Sequence, residues 1–355
     1  PYTTLFRSHR PQRQAGHRRL SAGHLEGVGV STALGQRSAL TISGLQTKFH
    51  TPQGELTAVD GVDLTVPRGS IVGLVGESGC GKSVTALSVL GLVPAGGEVT
   101  AGEICFQGRD LRQLSEKERR KLRGNRLAMI FQDPMTSLNP VYPVGRQVAE
   151  VLRLHRGMDR KTAKAKTIDL FRQVGIPDPA ARYDAYPREL SGGLRQRVMI
   201  AMAMACEPEL LLADEPTTAL DVTIQAQILS LMGDLRREHG TAILLITHNL
   251  GVVAQLCDLV YVMYAGQIVE AAETFALFRE AKHPYTQGLR KAIPALEGGQ
   301  ETLYTIRGTV PDLRCPPPGC RFCPRCDRAT EACAQSVPPL RDVGGGHFVR
   351  CFQVT

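Results

Sequence analysis

The chain has 355 residues, 43% of them hydrophobic and 21% charged, enough to bury one large core and a smaller one. Its net charge of +8 is an end effect: residues 1–40 hold six arginines against Glu26, which leaves only +3 for the rest and argues against a nucleic-acid face. No run approaches the roughly 18 to 20 apolar residues of a membrane helix, and no apolar core follows the early arginines as it would in a signal peptide; a soluble, cytoplasmic protein is expected, free to dock on a membrane partner.

Residues 1–39 carry no sustained period and read as a disordered or non-native leader. From Leu40 the pattern becomes regular. Leu40, Ile42 and Leu45 open a strand-like segment, and Val62, Leu64 and Val66 alternate with Asp63 and Thr65. Ile71–Val75 is a short apolar strand that runs into glycines and then a helix from Lys82 to about Leu92. Three- and four-residue spacing predicts helix over 145–175, and Leu194–Cys206 is a further helix closed by Pro208. Leu210–Ala213 is a buried strand. Asp221 caps a helix to about Glu238, with Gly240 as its stop signal. Strand Ile243–Ile246, helix Leu250–Leu256 and strand Leu259–Tyr264 complete the pattern; this most apolar region is broken by His248, Asn249, Gln255 and Asp258. The alternation implies an α/β fold with a mostly parallel sheet covered on both faces. After about Leu277 prolines and glycines multiply, and 283–355 reads as a small appended unit without a large core of its own.

The segment Gly76-Glu-Ser78-Gly79-Cys80-Gly81-Lys82-Ser83 matches a phosphate loop in the strand–turn–helix context that gives the motif meaning. Its glycines let backbone N–H groups turn toward phosphate oxygens, and the helix start adds partial positive charge. Lys82 is expected to reach the β- and γ-phosphates and the Ser83 hydroxyl to ligate Mg²⁺; Cys80, at a free position of the loop, reads as structural. The strand Leu210–Ala213 ends in Asp214, suited to Mg²⁺ through water, and Glu215, suited to polarising an attacking water. That pairing fits hydrolysis rather than transfer to a second substrate.

Leu190-Ser191-Gly192-Gly193-Leu194-Arg195-Gln196 is a second Gly-rich turn opening a helix, and so a second anion site. One ATP does not need two such sites from one chain, so this turn is expected to cap the γ-phosphate held by a partner subunit. With this segment the sequence resembles the ATP-binding-cassette ATPases over about 40–277, with a helical subdomain at about 141–195. The resemblance implies that Phe49 stacks on adenine, that Gln132 contacts Mg²⁺ and senses a transmembrane subunit, that Asp221 crosses a dimer interface, and that His248 bonds the γ-phosphate. Ser191, Gly192, Gly193, Gln196 and Asp221 would then serve the site of a second ATPase subunit, identical or not.

Gln132-Asp-Pro-Met-Thr-Ser-Leu-Asn-Pro140, His283-Pro-Tyr-Thr286 and the ending Gly319-Cys320-Arg-Phe-Cys323-Pro-Arg325-Cys326 resemble the oligopeptide, dipeptide and nickel permease group. The resemblance implies an ATPase powering peptide import through two transmembrane permease subunits, with an extracytoplasmic peptide-binding protein as an indirect partner. Nickel import, or a soluble cassette acting on ribosomes or nucleic acid, are the alternatives. The resemblance also places 278–355 as a C-terminal extension. Its four cysteines, Cys320, Cys326, Cys333 and Cys351, would hold a [4Fe–4S] cluster as in some relatives; a structural Zn²⁺, or thiols packing a small core, stand beside that reading.

Overall fold

The structure is a computed structural model and describes residues 38–133, 137–217, 222–292 and 304–354. The expected leader lies almost wholly outside the described residues. Strands β1 (Ser38–Thr51) and β2 (Gly54–Pro67) form a long hairpin, followed by β3 (Ile71–Val75) and helix α1 (Lys82–Leu90). Then come β4 (Gly97–Phe106), β5 (Arg109–Asp110), α2 (Glu116–Leu122) and β6 (Leu127–Ile130). A helical stretch follows: α3 (Val144–Arg156), α4 (Arg160–Gln173), α5 (Pro179–Arg182) and α6 (Gly192–Met204). The chain returns to alternation with β7 (Leu210–Asp214), α7 (Val222–His239), β8 (Ala242–Thr247), α8 (Leu250–Leu256), β9 (Leu259–Tyr264) and β10 (Gln267–Glu273). It ends with α9 (Thr274–Arg279), α10 (Pro284–Lys291), α11 (Glu331–Gln335), β11 (Arg341–Asp342) and β12 (Phe348–Val349).

The main sheet runs β11-β12-β10-β9-β3-β8-β7-β6. Its centre, from β9 to β6, is parallel as expected. Alternation along these strands divides the core in two. Ile71, Leu211, Ala213, Ile243 and Leu245 face the helical layer, which packs Val148, Leu152, Phe171 and Val198 against them. Val72, Leu74, Leu210, Leu212, Leu244 and Ile246 face the other way, onto Leu40, Ile42, Val62 and Leu64. Strands buried on both faces must be apolar throughout, which is why these short runs are so plain in the sequence. The second face is covered by an antiparallel sheet, β2-β1-β4-β5.

The C-terminal residues are stitched onto the main sheet. Strand β12 pairs with β10, Glu270 opposite Val349, while Leu313 and Phe322 enter the main core. Arg321 pairs with Asp60 and donates to the Ala265 carbonyl. Glu270 is fully buried and accepts from His347 Nε2 (2.6 Å), Lys282 N–H (2.7 Å) and His283 N–H (3.0 Å). Burial alone would raise this carboxyl; those bonds outweigh it and hold it below the ordinary range. The extension therefore shares the cassette's core, where the sequence suggests a unit with little core of its own.

Candidate functional site

Register places the candidate residues on one edge. Val75 lies beside Thr247, Asp214 beside Ile246 and Ile130 beside Ala213. Parallel strands that end together release their loops together, so Gly76, His248, Glu215 and Gln132 all leave the sheet on its carboxyl edge. In open α/β sheets this crevice is where ligands bind.

The loop after β3 needs its glycines. A Cβ on Gly76 would collide with the Met263 carbonyl oxygen, and one on Gly81, at φ +106°, with that of Ala58. Ser78 and Gly79 form the exposed tip. Cys80 is buried beneath the loop, where desolvation raises its thiol, so only its backbone faces a ligand. Lys82 is 6% exposed, and its Nζ donates to the carbonyls of Gly76 and Glu77 at 2.8 Å each. Ser83 opens α1 and bonds Asp214, whose acid is raised by burial with the Ser83 bond only partly opposing. Asp214 Oδ1 is buried without a hydrogen-bond partner. An orphaned carboxylate oxygen beside a serine hydroxyl at a phosphate loop fits a divalent cation.

Glu215 is the hub of the edge. It takes a left-handed backbone, φ +45°, rare for a residue with a side chain, and its N–H bonds the Ile246 carbonyl (2.9 Å). Gln132 Nε2 donates to its Oε2 (3.2 Å), and His248 Nδ1 stands 3.0 Å from its Oε1. With Glu215 as a carboxylate, the imidazole donates from Nδ1, which leaves Nε2 for a ligand. A carboxylate so held, at the mouth of a phosphate loop, is equipped to orient water.

The other expected residues lie apart from this edge or are turned differently. Ser191 caps α6, its Oγ accepting from Leu194 N–H at 3.4 Å, and with Gly192 it is exposed; Gly193 follows on the same turn. Gln196, expected to face a partner, is 2% exposed instead, and its Nε2 donates to the Pro216 carbonyl (2.8 Å). It braces the turn after Glu215 because it lies on the inward face of α6. Phe49 sits on β1 opposite Leu56 and Gly97, and β1 is tied to α1 by Thr47 Oγ1 and Ser88 Oγ (2.9 Å). Asp221 lies outside the described residues.

The cysteines expected to hold a cluster are gathered in one place. Cys320, Cys323, Cys326, Cys333 and Cys351 line one small cavity of about 10 Å³ with His283 and Phe322. Yet all are free thiols, and among the described residues no three His, Cys, Asp or Glu side chains form a group suited to a metal ion. Burial raises Cys320 to about 11 and pushes Cys326 and Cys351 up as well. The iron–sulfur reading has no support from their arrangement.

A second set of neighbours at the phosphate loop had no signal in the sequence. Arg325 pairs with Glu77 (2.8 Å), and the Glu77 N–H donates to Tyr285 Oη (2.9 Å). Both partners lie more than 200 residues downstream.

A family model described as ABC transporter matches residues 59–218, and one described as oligopeptide/dipeptide transporter, C-terminal region, matches residues 269–333. The probable peptide ABC transporter ATP-binding protein y4tR of Sinorhizobium fredii is 51% identical over 316 residues, covering 88% of this chain and 94% of that protein. The dipeptide transport ATP-binding protein DppD of Escherichia coli is 49% identical over 312 residues, 88% and 95% of the two chains. Among solved structures, a dimeric ATP-binding cassette, MJ0796 bound to ADP and Pi, matches with a TM-score of 0.61 at 24% identity over 66% of this chain and 98% of that one, a likeness of fold alone. With identity near one half along almost the whole of such relatives, the chain belongs to the ABC transporter family as an ATP-binding cassette ATPase with the oligopeptide/dipeptide-type C-terminal region.

Proposed function

We propose that this chain hydrolyses ATP to drive import of oligopeptides or dipeptides through two separate transmembrane permease subunits. The observation that carries the hydrolytic part is the Glu215 carboxylate, held between Gln132 and His248 at the exit of β7. The cargo rests on the relatives named for peptide and dipeptide transport, whose identity runs through the C-terminal region and favours peptide over nickel.

In this reading ATP lies along the carboxyl edge. Phe49 stacks on the adenine, and the backbone from Gly76 through Ser78, Gly79, Cys80 and Gly81 surrounds the phosphates. Lys82 supplies the mobile positive charge. Ser83, Gln132 and Asp214 are the residues that would hold Mg²⁺, which when bound neutralises charge on the phosphates. Glu215 orients the attacking water and takes up its proton; His248 donates from Nδ1 to Glu215, and with both ring nitrogens protonated its Nε2–H donates to the γ-phosphate. Ser191, Gly192, Gly193 and Asp221 complete the site of a second ATPase subunit, so the working unit is a dimer, with identical or different halves. Gln196 supports that turn from within its own chain.

The cassette spans 40–277, with a helical insert at about 141–195, and 278–355 is the extension. No described helix is long and apolar enough to cross a membrane, which fits a peripheral place on the cytoplasmic face. A peptide-binding protein outside the membrane would act on the permeases and not touch this chain. No step passes through an iron–sulfur cluster or zinc; iron, sulfide and zinc content of purified protein tests whether the thiols ever carry one.

Glu215→Gln is the decisive variant. It should bind ATP and dimerise while turnover falls on the order of a hundredfold or more. Turnover near that of the parent would remove Glu215 from the mechanism. Uptake of labelled dipeptide by cells expressing the assembled transporter tests the cargo.

A further inference from the structure

Glu77 is the second residue of the phosphate loop, and both halves of it are held from the C-terminal region. Arg325 Nη1 and Nη2 donate to its two carboxylate oxygens at 2.8 and 3.1 Å, a two-pronged pair. The Glu77 N–H donates to Tyr285 Oη of α10 at 2.9 Å. Its carbonyl accepts from Lys82 Nζ, so every polar group of Glu77 has a fixed partner.

The holder is itself fixed. The Arg325 side chain is only 6% exposed. Its Nε donates to the Arg307 carbonyl (2.8 Å) and Nη2 to that of Ile306 (3.3 Å). The Tyr285 ring packs against Tyr264 (4.7 Å between centroids) and Phe322 (5.5 Å). A guanidinium anchored by two carbonyls and a phenol locked in an aromatic cluster cannot follow a wandering loop; the loop must follow them.

We propose that Arg325 and Tyr285 are positioning residues for ATP: through Glu77 they hold the first turn of the phosphate loop in its binding shape and neutralise the one acid within it. This rests on the reading that the loop at Gly76–Ser83 binds the nucleotide's phosphates. The chemical reason is twofold. A loop held in place spends less conformational entropy on closing around phosphate. An unpaired carboxylate beside a polyphosphate repels it, and Arg325 removes that repulsion.

The test uses the purified full-length chain. Affinity is measured with a fluorescent ATP analogue, thermal midpoint without nucleotide, and KM and kcat for ATP in the assembled transporter. Arg325→Ala should weaken ATP binding on the order of tenfold, raise KM similarly and leave kcat within about twofold. Glu77→Ala/Arg325→Ala should recover much of the loss, since the repelling carboxylate is gone. Tyr285→Phe, which removes one oxygen, should weaken binding a few-fold. Should Arg325→Ala fail to fold, Arg325→Lys, which keeps charge but not the fork, takes its place with a smaller loss expected. Parental affinity in the Arg325 variant overturns the proposal. So does a loss that persists in full in the double variant together with a lowered thermal midpoint and a lowered kcat, for Arg325 would then serve the fold alone. Lys82→Ala binding ATP like the parent would instead sink the underlying reading of the loop, a separate and recognisable result.

Discussion

Replacing Glu270 with alanine should be among the most damaging single changes in this chain. The carboxylate is fully buried and accepts from His347 and from the backbone N–H groups of Lys282 and His283. Alanine leaves three donors without an acceptor in a dry site, at about 1–3 kcal/mol each. Allowing for partial relaxation, the loss is about 4 kcal/mol, a large part of the roughly 5–15 kcal/mol that holds a domain folded. Glu270→Gln keeps one acceptor oxygen and should cost about half as much. Equilibrium urea unfolding of the full chain measures both. A loss under about 1 kcal/mol for alanine, or equal losses for the two variants, would refute the reasoning. The sign with pH follows from the depressed carboxyl: its contribution is complete above the ordinary glutamate value and disappears as pH falls through the lower folded value.

The remaining predictions concern one histidine and two glycines. His283 is buried, and desolvation drops it to about 4 from an ordinary value near 6.5; its Nδ1 accepts from Tyr285 N–H and must stay unprotonated to do so. Because the unfolded chain takes the proton first, stability should decline as pH falls from about 6.5 toward 4, and thermal midpoints across that window should fall less steeply in His283→Asn. Gly81→Ala, at φ +106° with the Ala58 carbonyl in the way, should abolish ATP binding while circular dichroism stays that of the parent. Gly79→Ala, at φ +77° with open space around it, should cost only about 1–2 kcal/mol of local strain and retain measurable binding.

Legibility in the sequence followed burial and distance. Ile71–Val75, Leu210–Asp214 and Leu259–Tyr264 were readable because strands covered on both faces are apolar almost throughout. The chemistry at their ends was readable because Gly76–Ser83, Asp214–Glu215 and the Ser191 turn are each local. Gly97–Phe106 gave no such signal: only Ile104 and Phe106 in it are buried, and it is a strand because β1 pairs with it. Gln196 misled, since its place in a recognisable segment said nothing about which face of α6 it occupies. Resemblance suggested Cys320, Cys326, Cys333 and Cys351 as ligands, but ligand geometry depends on backbone that a resemblance does not fix. The pair Arg325–Glu77 joins residues 248 apart in the chain and could emerge only from the fold.

The pairing of β12 with β10 has a consequence for how the protein is made. Synthesis runs from the N-terminus, so β10 emerges with one side bonded to β9 and the other bare until Phe348 and Val349 arrive. A bare strand edge is an invitation to wrong partners. The nucleotide loop waits as well, since Arg325 is translated long after Glu77. A product cut short before Phe348 would keep this sheet edge open, and quality control would have cause to recognise it.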